Sequence, residues 1–386
     1  MARQFRKRTP RLRGAILVHY DDSNYRSVAE PRINSELVYH RHMKKIVITG
    51  GHHNSALVVA EELRRRGVEV VWIGQRQAAV GDTSNSAEYR EVTAAGFPFL
   101  ELSSSKLSHY GAGFFRAWEL IKTLHPDAAL SFGGYLGAVV AVAAWARHIP
   151  VYLHEQTIIA GKANVFAARF ARRIYLTWPA SQAFFPRGKS LVVGMPMRPS
   201  FLGKVAKASS TRPRLFVLGG KQGSHVINEF FFNHLAALLA EYDVVHQTGT
   251  SSATGDYARA LALKKSLPAV LTRHYHPHDY LGEKEIAQAM QQASVVVGRS
   301  GAHTVYELGV LGVRAVLIPY HFTNGVEQEK NAAYLVQAGN AVILSQNTLS
   351  LVSLSASLSA VLRLSPHPLP LPTDATTRLV ADLLGR

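Results

Sequence analysis

Three short stretches of this 386-residue sequence join glycines, imidazoles and charged side chains at the spacing of a phosphate-binding turn. Residues 294–319, SVVVGRSGAHTVYELGVLGVRAVLIP, read as a strand ending at Gly298, a turn at Ser300-Gly301 and a helix from Ala302. The backbone N–H groups of Ala302, His303 and Thr304 have no partner inside such a helix and offer an anion site at its positive end. Glu307 lies one turn further in, where a carboxylate can accept two hydrogen bonds from a ribose. Residues 218–225, LGGKQGSH, form a second turn of this kind, with Lys221, Gln222 and Gly223 at its tip and an ammonium beside the phosphate loop. Residues 46–63, IVITGGHHNSALVVAEEL, form the third. Thr49 closes the apolar run, Gly50 and Gly51 turn the chain, and His52-His53 stand where a dinucleotide-binding turn carries another glycine. A neutral imidazole can accept a proton or orient a hydroxyl there, since its ordinary pKa is about 6.5. His154-Glu155-Gln156 add three polar groups directly after a strand, a place that serves a ligand more readily than packing.

Such sites need a strand before each turn and a helix after it, and from Lys44 the sequence alternates the two. The patterning predicts strands at 45–49, 69–73, 128–132, 150–153, 173–177 and 191–193, with helical patterns at 55–66 and 136–147 among those between them. That alternation implies a parallel sheet with helices on both faces. A Pro- and Ser-bearing stretch around 198–213 reads as a linker. The scheme then restarts at LFVLGG, with further strands near 243–246, 269–272, 294–298, 314–318 and 341–344. The fold class is therefore α/β, two Rossmann-like domains facing across a cleft at the carboxyl ends of both sheets, where ligands of such sheets bind. The expected division is a basic extension over 1–43, a first domain over 44–198, a linker over 199–212, a second domain over 213–365, and a Pro-rich connection with a terminal helix over 366–386.

Composition narrows the chemistry. With no cysteine, disulfides and thiolate nucleophiles are excluded and a reducing compartment is favoured. A formal charge of +17 calls for an anionic partner: a phosphorylated substrate, an acidic membrane or nucleic acid. The uncharged run at 128–146 is long enough to imitate a membrane span, but Gly133-Gly134 divides it into a short strand and a buried helix. Residues 1–42 show no sustained period, and Met43 opens an ordinary α/β start, so the basic stretch reads as a tail or an upstream start rather than a packed element.

The motifs TGGH, GGY, HEQ…AGKAN, GMPMR, GGKQGSHVIN, GRSGAHTVYE and EQEKNA occur in an order that resembles the lipid-intermediate N-acetylglucosaminyltransferases of peptidoglycan synthesis, the MurG type, over about residues 44–345. The resemblance implies a GT-B fold and transfer of N-acetylglucosamine, with inversion, from its UDP ester to the 4-hydroxyl of a muramyl-pyrophosphoryl-polyprenol at the cytoplasmic membrane face. It implies that the helix start at Ala302–Thr304, following Ser300-Gly301, holds the α-phosphate and that Glu307 binds the ribose. Gln328 would meet sugar hydroxyls, and Asn164 and Arg198 the donor near the domain junction. His52 matches the histidine of the family's first glycine loop, and 275–281 lies near the uracil-reading backbone. The chain departs from the pattern in several places. Two leading glycines of the first loop are missing, His53-Asn54 replaces an apolar pair, and Ser55 stands where proline is common. Lys221 takes the place of a serine, Thr157 of an asparagine, and Glu327 of a glutamine or histidine.

These residues give His52 as the catalytic base, with Glu155 as the next candidate, and Thr49, Gly50, Gly51, Asn164, Arg198, Lys221, Gln222, Gly223, Ser300, Gly301, Ala302, His303, Thr304, Glu307 and Gln328 as substrate-binding. His53, adjacent to His52, is expected to point elsewhere and serve structure. No cofactor and no metal are expected: there is no D-x-D triplet, and the histidines of RHYHPHDY, residues 273–280, do not follow a zinc spacing. Expected partners are UDP-N-acetylglucosamine, a polyprenyl-pyrophosphate-linked sugar acceptor and an anionic membrane surface, with no nucleic-acid recognition motif. The expected location is cytoplasmic, peripheral on the inner face of the cell membrane. The helical stretch 109–126, with Phe114, Phe115, Trp118 and Ile121 beside Arg116 and Lys122, is a core-facing helix or a membrane-docking patch. Alternatives left open are a related transferase with another lipid acceptor, a UDP-N-acetylglucosamine 2-epimerase, and a non-catalytic nucleotide-sugar-binding protein.

Overall fold

The computed structural model describes residues 43–77, 85–102, 110–203, 212–320 and 326–385. The basic stretch 1–42, linker residues 204–211 and residue 109 of the aromatic stretch lie outside the described residues. Strands β1 (Lys45–Thr49), β2 (Glu69–Gly74), β3 (Phe99–Glu101), β4 (Ala128–Ser131), β5 (Val151–Glu155), β6 (Arg173–Leu176) and β7 (Ser190–Val192) form one sheet in the order β3-β2-β1-β4-β5-β6-β7. Strands β8 (Arg214–Leu218), β9 (Asp243–Gln247), β10 (Tyr275–His278), β11 (Val295–Gly298), β12 (Ala315–Leu317) and β13 (Ala341–Ile343) form a second in the order β10-β9-β8-β11-β12-β13. Every pairing between these thirteen strands is parallel, as suits short, mostly apolar strands buried on both faces. Side-chain alternation divides β1 between the two faces of its sheet: Ile46 and Ile48 pack into one core, Val47 into the other. The run at 128–146 resolves into β4 and the helix Gly134–Ala146, and no helix among the described residues is long and apolar enough to cross a membrane.

Two expectations change. Residues 269–272, read as a strand, form the helical turn Ala269–Thr272, entered through Pro268, and the strand lies just beyond it at β10. The middle of the histidine-rich stretch 273–280 is therefore an edge strand. Tyr275 and Pro277 point inward and His276 and His278 stay half-exposed, and an edge strand tolerates a proline that has no N–H to donate. The short strand β3 and the helix Ala87–Ala94 before it were not anticipated, because eight polar-rich residues carry little periodic signal.

The terminal helix Ala375–Leu383 returns to the first domain. Leu379, Val380 and Leu383 join the core formed by Ile46, Ile48, Ala56 and Leu63. Asp382 anchors the return by accepting from Arg173, at 3.1 and 3.2 Å, and from the Tyr175 hydroxyl at 2.9 Å. The connection crosses the junction at Gly194, whose φ is +92° and where a Cβ would stand 2.8 Å from both Pro372 and the Tyr306 hydroxyl. Trp178 of the first domain packs edge-on against Tyr306 and Tyr334 of the second, with centroids 5.3 and 4.6 Å away. Leu379→Ala empties a fully buried site in this shared core and should lower unfolding free energy by about 2–5 kcal/mol in denaturant titration, a range set by how far the cavity collapses.

Candidate active site

The glycine loops meet by backbone. Gly50 has φ +123°, and a Cβ there would lie 2.7 Å from the Gly133 carbonyl oxygen, while the Gly51 N–H donates to that same oxygen at 3.1 Å. Gly50 is thus required for one loop to lie on the other, whereas a Cβ at Gly51 meets nothing within 4 Å. This contact sets His52 at the N-cap of the helix His53–Arg65, at the carboxyl edge of the sheet. In the second domain Gly223, at φ +87°, presses on the Thr248 carbonyl, and Gly219 on the Ser224 backbone. Their glycines pack the turn and leave Lys221 at its tip. The helix Ala302–Leu311 opens at Gly301 with no side-chain cap, so its first N–H groups remain available to a ligand.

A cavity of about 180 Å³ lies between the domains, bounded by Asn54 and Arg198 on one side and Lys221, His303, Thr304 and Glu307 on the other. Lys221 crosses it. Its ammonium donates to Asn54 Oδ1 at 2.6 Å and Glu91 Oε1 at 2.6 Å, and lies 2.9 Å from His53 Nε2, which accepts. Arg198 donates through Nη2 to Glu91 Oε2 at 3.1 Å and Asn54 Oδ1 at 3.2 Å, and the Tyr280 hydroxyl donates to Glu91 Oε1 at 3.2 Å. His53 therefore joins the contact between the domains through Lys221, at the border of the cavity. Glu91 and Asn54 did not emerge from the sequence: Glu91 sits on the unanticipated helix, and nothing local marks its partners.

Burial governs the titration of these groups. Desolvation lowers His52, with Glu155 opposing and His53 reinforcing, so His52 is neutral at pH 7. Desolvation likewise lowers His303 well below its ordinary value, reinforced by His52, Lys221, His53 and Arg198, and its buried Nε2 has no partner among the described residues. Glu307 is pushed up to about 8 by burial, with Arg198 and Lys221 pulling the other way. Burial would raise Glu91 too, but His53 and Lys221 outweigh it and hold the carboxyl well below the usual range.

Other expected site residues are spoken for. Glu155 accepts from Thr157 N and Oγ1, at 3.0 and 2.7 Å, and from Gly161 N and Asn164 Nδ2, both at 3.0 Å. A buried carboxylate with four donors holds the loop 156–164 and acts on His52 through its charge rather than as a free base. Asn164, buried beneath Gly133, spends its amide nitrogen on that carboxylate and on the His154 carbonyl. Thr49 is 1% exposed, and its buried hydroxyl has no hydrogen-bond partner among the described residues. Ser300 is buried and donates to the Gln328 carbonyl at 2.8 Å, while Gln328 Oε1 accepts the Tyr320 N–H at 3.0 Å. Gln222 is exposed at the loop tip. Among the described residues no group of three or more His, Asp or Glu is arranged to hold a metal ion.

Two parallel Rossmann-like domains with helix termini and cations converging on the cleft define a GT-B protein of the nucleotide-sugar class. The sequence matches the glycosyltransferase family 28 N-terminal domain over residues 48–176 and the glycosyltransferase family 28 C-terminal domain over 214–381. It is 33% identical over 337 residues to the UDP-N-acetylglucosamine–N-acetylmuramyl-(pentapeptide) pyrophosphoryl-undecaprenol N-acetylglucosamine transferase of Nitratidesulfovibrio vulgaris, covering 83% of this chain and 89% of that one. The chain belongs to that transferase family. Its fold is similar to the crystal structure of Acinetobacter baumannii MurG, with a TM-score of 0.60, 23% identity and coverage of 89% of this chain and 99% of that one. It is also similar to the UDP-GlcNAc 2-epimerase of Methanocaldococcus jannaschii, with a TM-score of 0.59, 12% identity and coverage of 89% and 100%.

Glu307 yields a prediction with a defined sign. Its folded pKa of about 8 exceeds the ordinary 4.5, so the folded chain holds an extra proton between those values and loses stability as pH rises through that window. Glu307→Gln should therefore melt higher than the parent at pH 8.5, with the gain vanishing near pH 4. If Glu307 receives the ribose hydroxyls, as the family resemblance implies, the same replacement should also weaken UDP binding about tenfold. Equal melting at both pH values in scanning calorimetry is the contrary result.

Proposed function

We propose that this chain transfers N-acetylglucosamine from UDP-N-acetylglucosamine to the 4-hydroxyl of a muramyl sugar linked through pyrophosphate to a polyprenol, the step that completes the lipid-linked disaccharide of peptidoglycan. The identity to named transferases over four-fifths of the chain carries the substrate pair. The cleft supplies the chemistry. Ala302–Thr304 N–H groups receive donor phosphate at the helix terminus, where the helix dipole favours negative charge. Glu307, one turn deeper, accepts from the ribose hydroxyls, and binding of those donors favours its ionised form.

In the reaction the acceptor oxygen forms a bond to the anomeric carbon as the bond from that carbon to the UDP oxygen breaks. The oxocarbenium-like transition state resembles that of glycoside hydrolysis, and attack from the face opposite UDP inverts the centre. The hydroxyl proton passes to His52, whose burial keeps it neutral and whose imidazolium Glu155 then stabilises. The charge on departing UDP is met by the helix N–H groups and by Lys221 and Arg198 in the same cavity.

Access to a lipid acceptor fits the outer face of the first domain. Phe115 is 68% exposed and Trp145 51% exposed on neighbouring helices, with Phe166 beside them. Arg147 stacks over Trp118 at 5.1 Å and Arg169 over Phe166 at 5.7 Å, so cations rim the aromatics. Such a face suits an anionic leaflet, with rings in the interface and guanidinium groups at the headgroups. Phe115→Ser with Trp145→Ser should reduce sedimentation with phosphatidylglycerol vesicles while UDP affinity holds, and retained sedimentation counts against this face.

Radiolabelled UDP-N-acetylglucosamine with a muramyl-lipid acceptor should move label into the lipid phase. His52→Ala should lose about 10²–10⁴-fold in turnover, while UDP affinity stays within about threefold. The parent's kcat/KM should fall on the acid side through a pKa below 6.5, and that limb should disappear in the variant. Incorporation of solvent hydrogen at the sugar C2 without transfer favours the epimerase reaction, and full turnover by His52→Ala moves the base to another group.

A further inference from the structure

All three protons of the Lys221 ammonium are taken by the opposite domain, by Asn54, Glu91 and the accepting nitrogen of His53. Arg198, the other cation of the cavity, is also held by Asn54 and Glu91. Glu91 thus sits between the two cations that line the donor cavity, with each carboxylate oxygen on one of them and Tyr280 completing the shell. A carboxylate bound in this way uses the interactions that a diphosphate in the same cavity needs. Lys221 has three donors and all are committed, so it reaches a phosphate only by leaving a partner.

We propose that Glu91 is a positioning residue that acts as an internal anion, competing with the donor's diphosphate for Lys221 and Arg198. Donor binding exchanges the carboxylate for phosphate oxygens. Because Lys221 belongs to the second domain and Glu91, Asn54 and His53 to the first, the same exchange breaks a tie between the domains. The lone charge left at Glu91 is moderated by His53 and the Tyr280 hydroxyl, and its position beside a second cavity lined by Leu57, Glu61 and Pro199 gives it a route to solvent. The proposal rests on the UDP-sugar reading of the cavity, and donor binding and this competition are linked reciprocally.

Calorimetric titration of the full chain with UDP and with uridine separates the possibilities. Glu91→Gln should tighten UDP at least about fivefold, a lower bound for a working coupling, while uridine, which has no phosphate, changes less than about twofold. In a Lys221→Met background the same Glu91→Gln substitution should tighten UDP by a clearly smaller factor than in the parent, because only Arg198 is left to contest. Glu91→Asp, which keeps the charge but withdraws it by one methylene, should tighten UDP by a smaller factor and serves should Glu91→Gln melt too low to titrate. Unchanged or weaker UDP binding in the Glu91 variants overturns the proposal and leaves the donor site standing. So does a gain that persists in full without Lys221, since that reports the general field of the protein. A parent chain that binds no UDP at all overturns the donor reading first, and the competition with it.

Discussion

Parallel pairing in both sheets is the constraint from which the site follows. A parallel strand must be followed by a crossover, and a crossover helix begins where the strand's carboxyl end stops. All helix N-termini that follow strands therefore collect at one edge of each sheet, and here the two edges border one cleft. The positive ends of the helices His53–Arg65 and Ala302–Leu311 reach it from opposite sides. Glycines serve this arrangement in two different ways. Gly50 and Gly223 allow backbone to lie on backbone, which fixes the loops, while Gly51 and Gly301 leave open space before a helix start.

Desolvation is the second determinant. Lys221, Arg198, Glu91 and His53 satisfy one another across the cleft, so charges that would be costly alone are tolerated together. Among the described residues Glu307 has no such partner within hydrogen-bonding distance and responds by holding its proton, and the Nε2 of His303, unpartnered among them too, is a second such polar group. Such groups are destabilising where they stand, and under the proposed function a polyhydroxylated, phosphorylated ligand supplies their partners, which would set stability against function at these two positions.

Much of the local structure around the candidate site was legible in the sequence. The turn at Ser300-Gly301, the helix from Ala302 and Glu307 one turn in are properties of a continuous segment, and a strand, a glycine pair and a helical period announce them. The same holds for His52 at its N-cap. Residues such as Thr49, Ser300 and Asn164 carry the right chemistry in the right segments, yet packing turned their side chains toward the interior or toward neighbouring loops. Local spacing does not specify which way a polar side chain at a strand end will face.

From the sequence alone came the strand–turn–helix repeat, its restart as a second sheet, the family motifs in order and the imidazole at the first loop, because each depends on residues within a turn or two of one another. The tertiary structure decided what depends on distant segments. It placed the terminal helix in the first domain's core, made residues 275–278 an edge strand by pairing them with β9, and gathered Glu91, Arg198, Lys221 and Tyr280 from four separate elements into one ionic cluster. No periodicity relates Glu91 to a lysine 130 positions away, and only the facing of two sheets brings the pair to 2.6 Å.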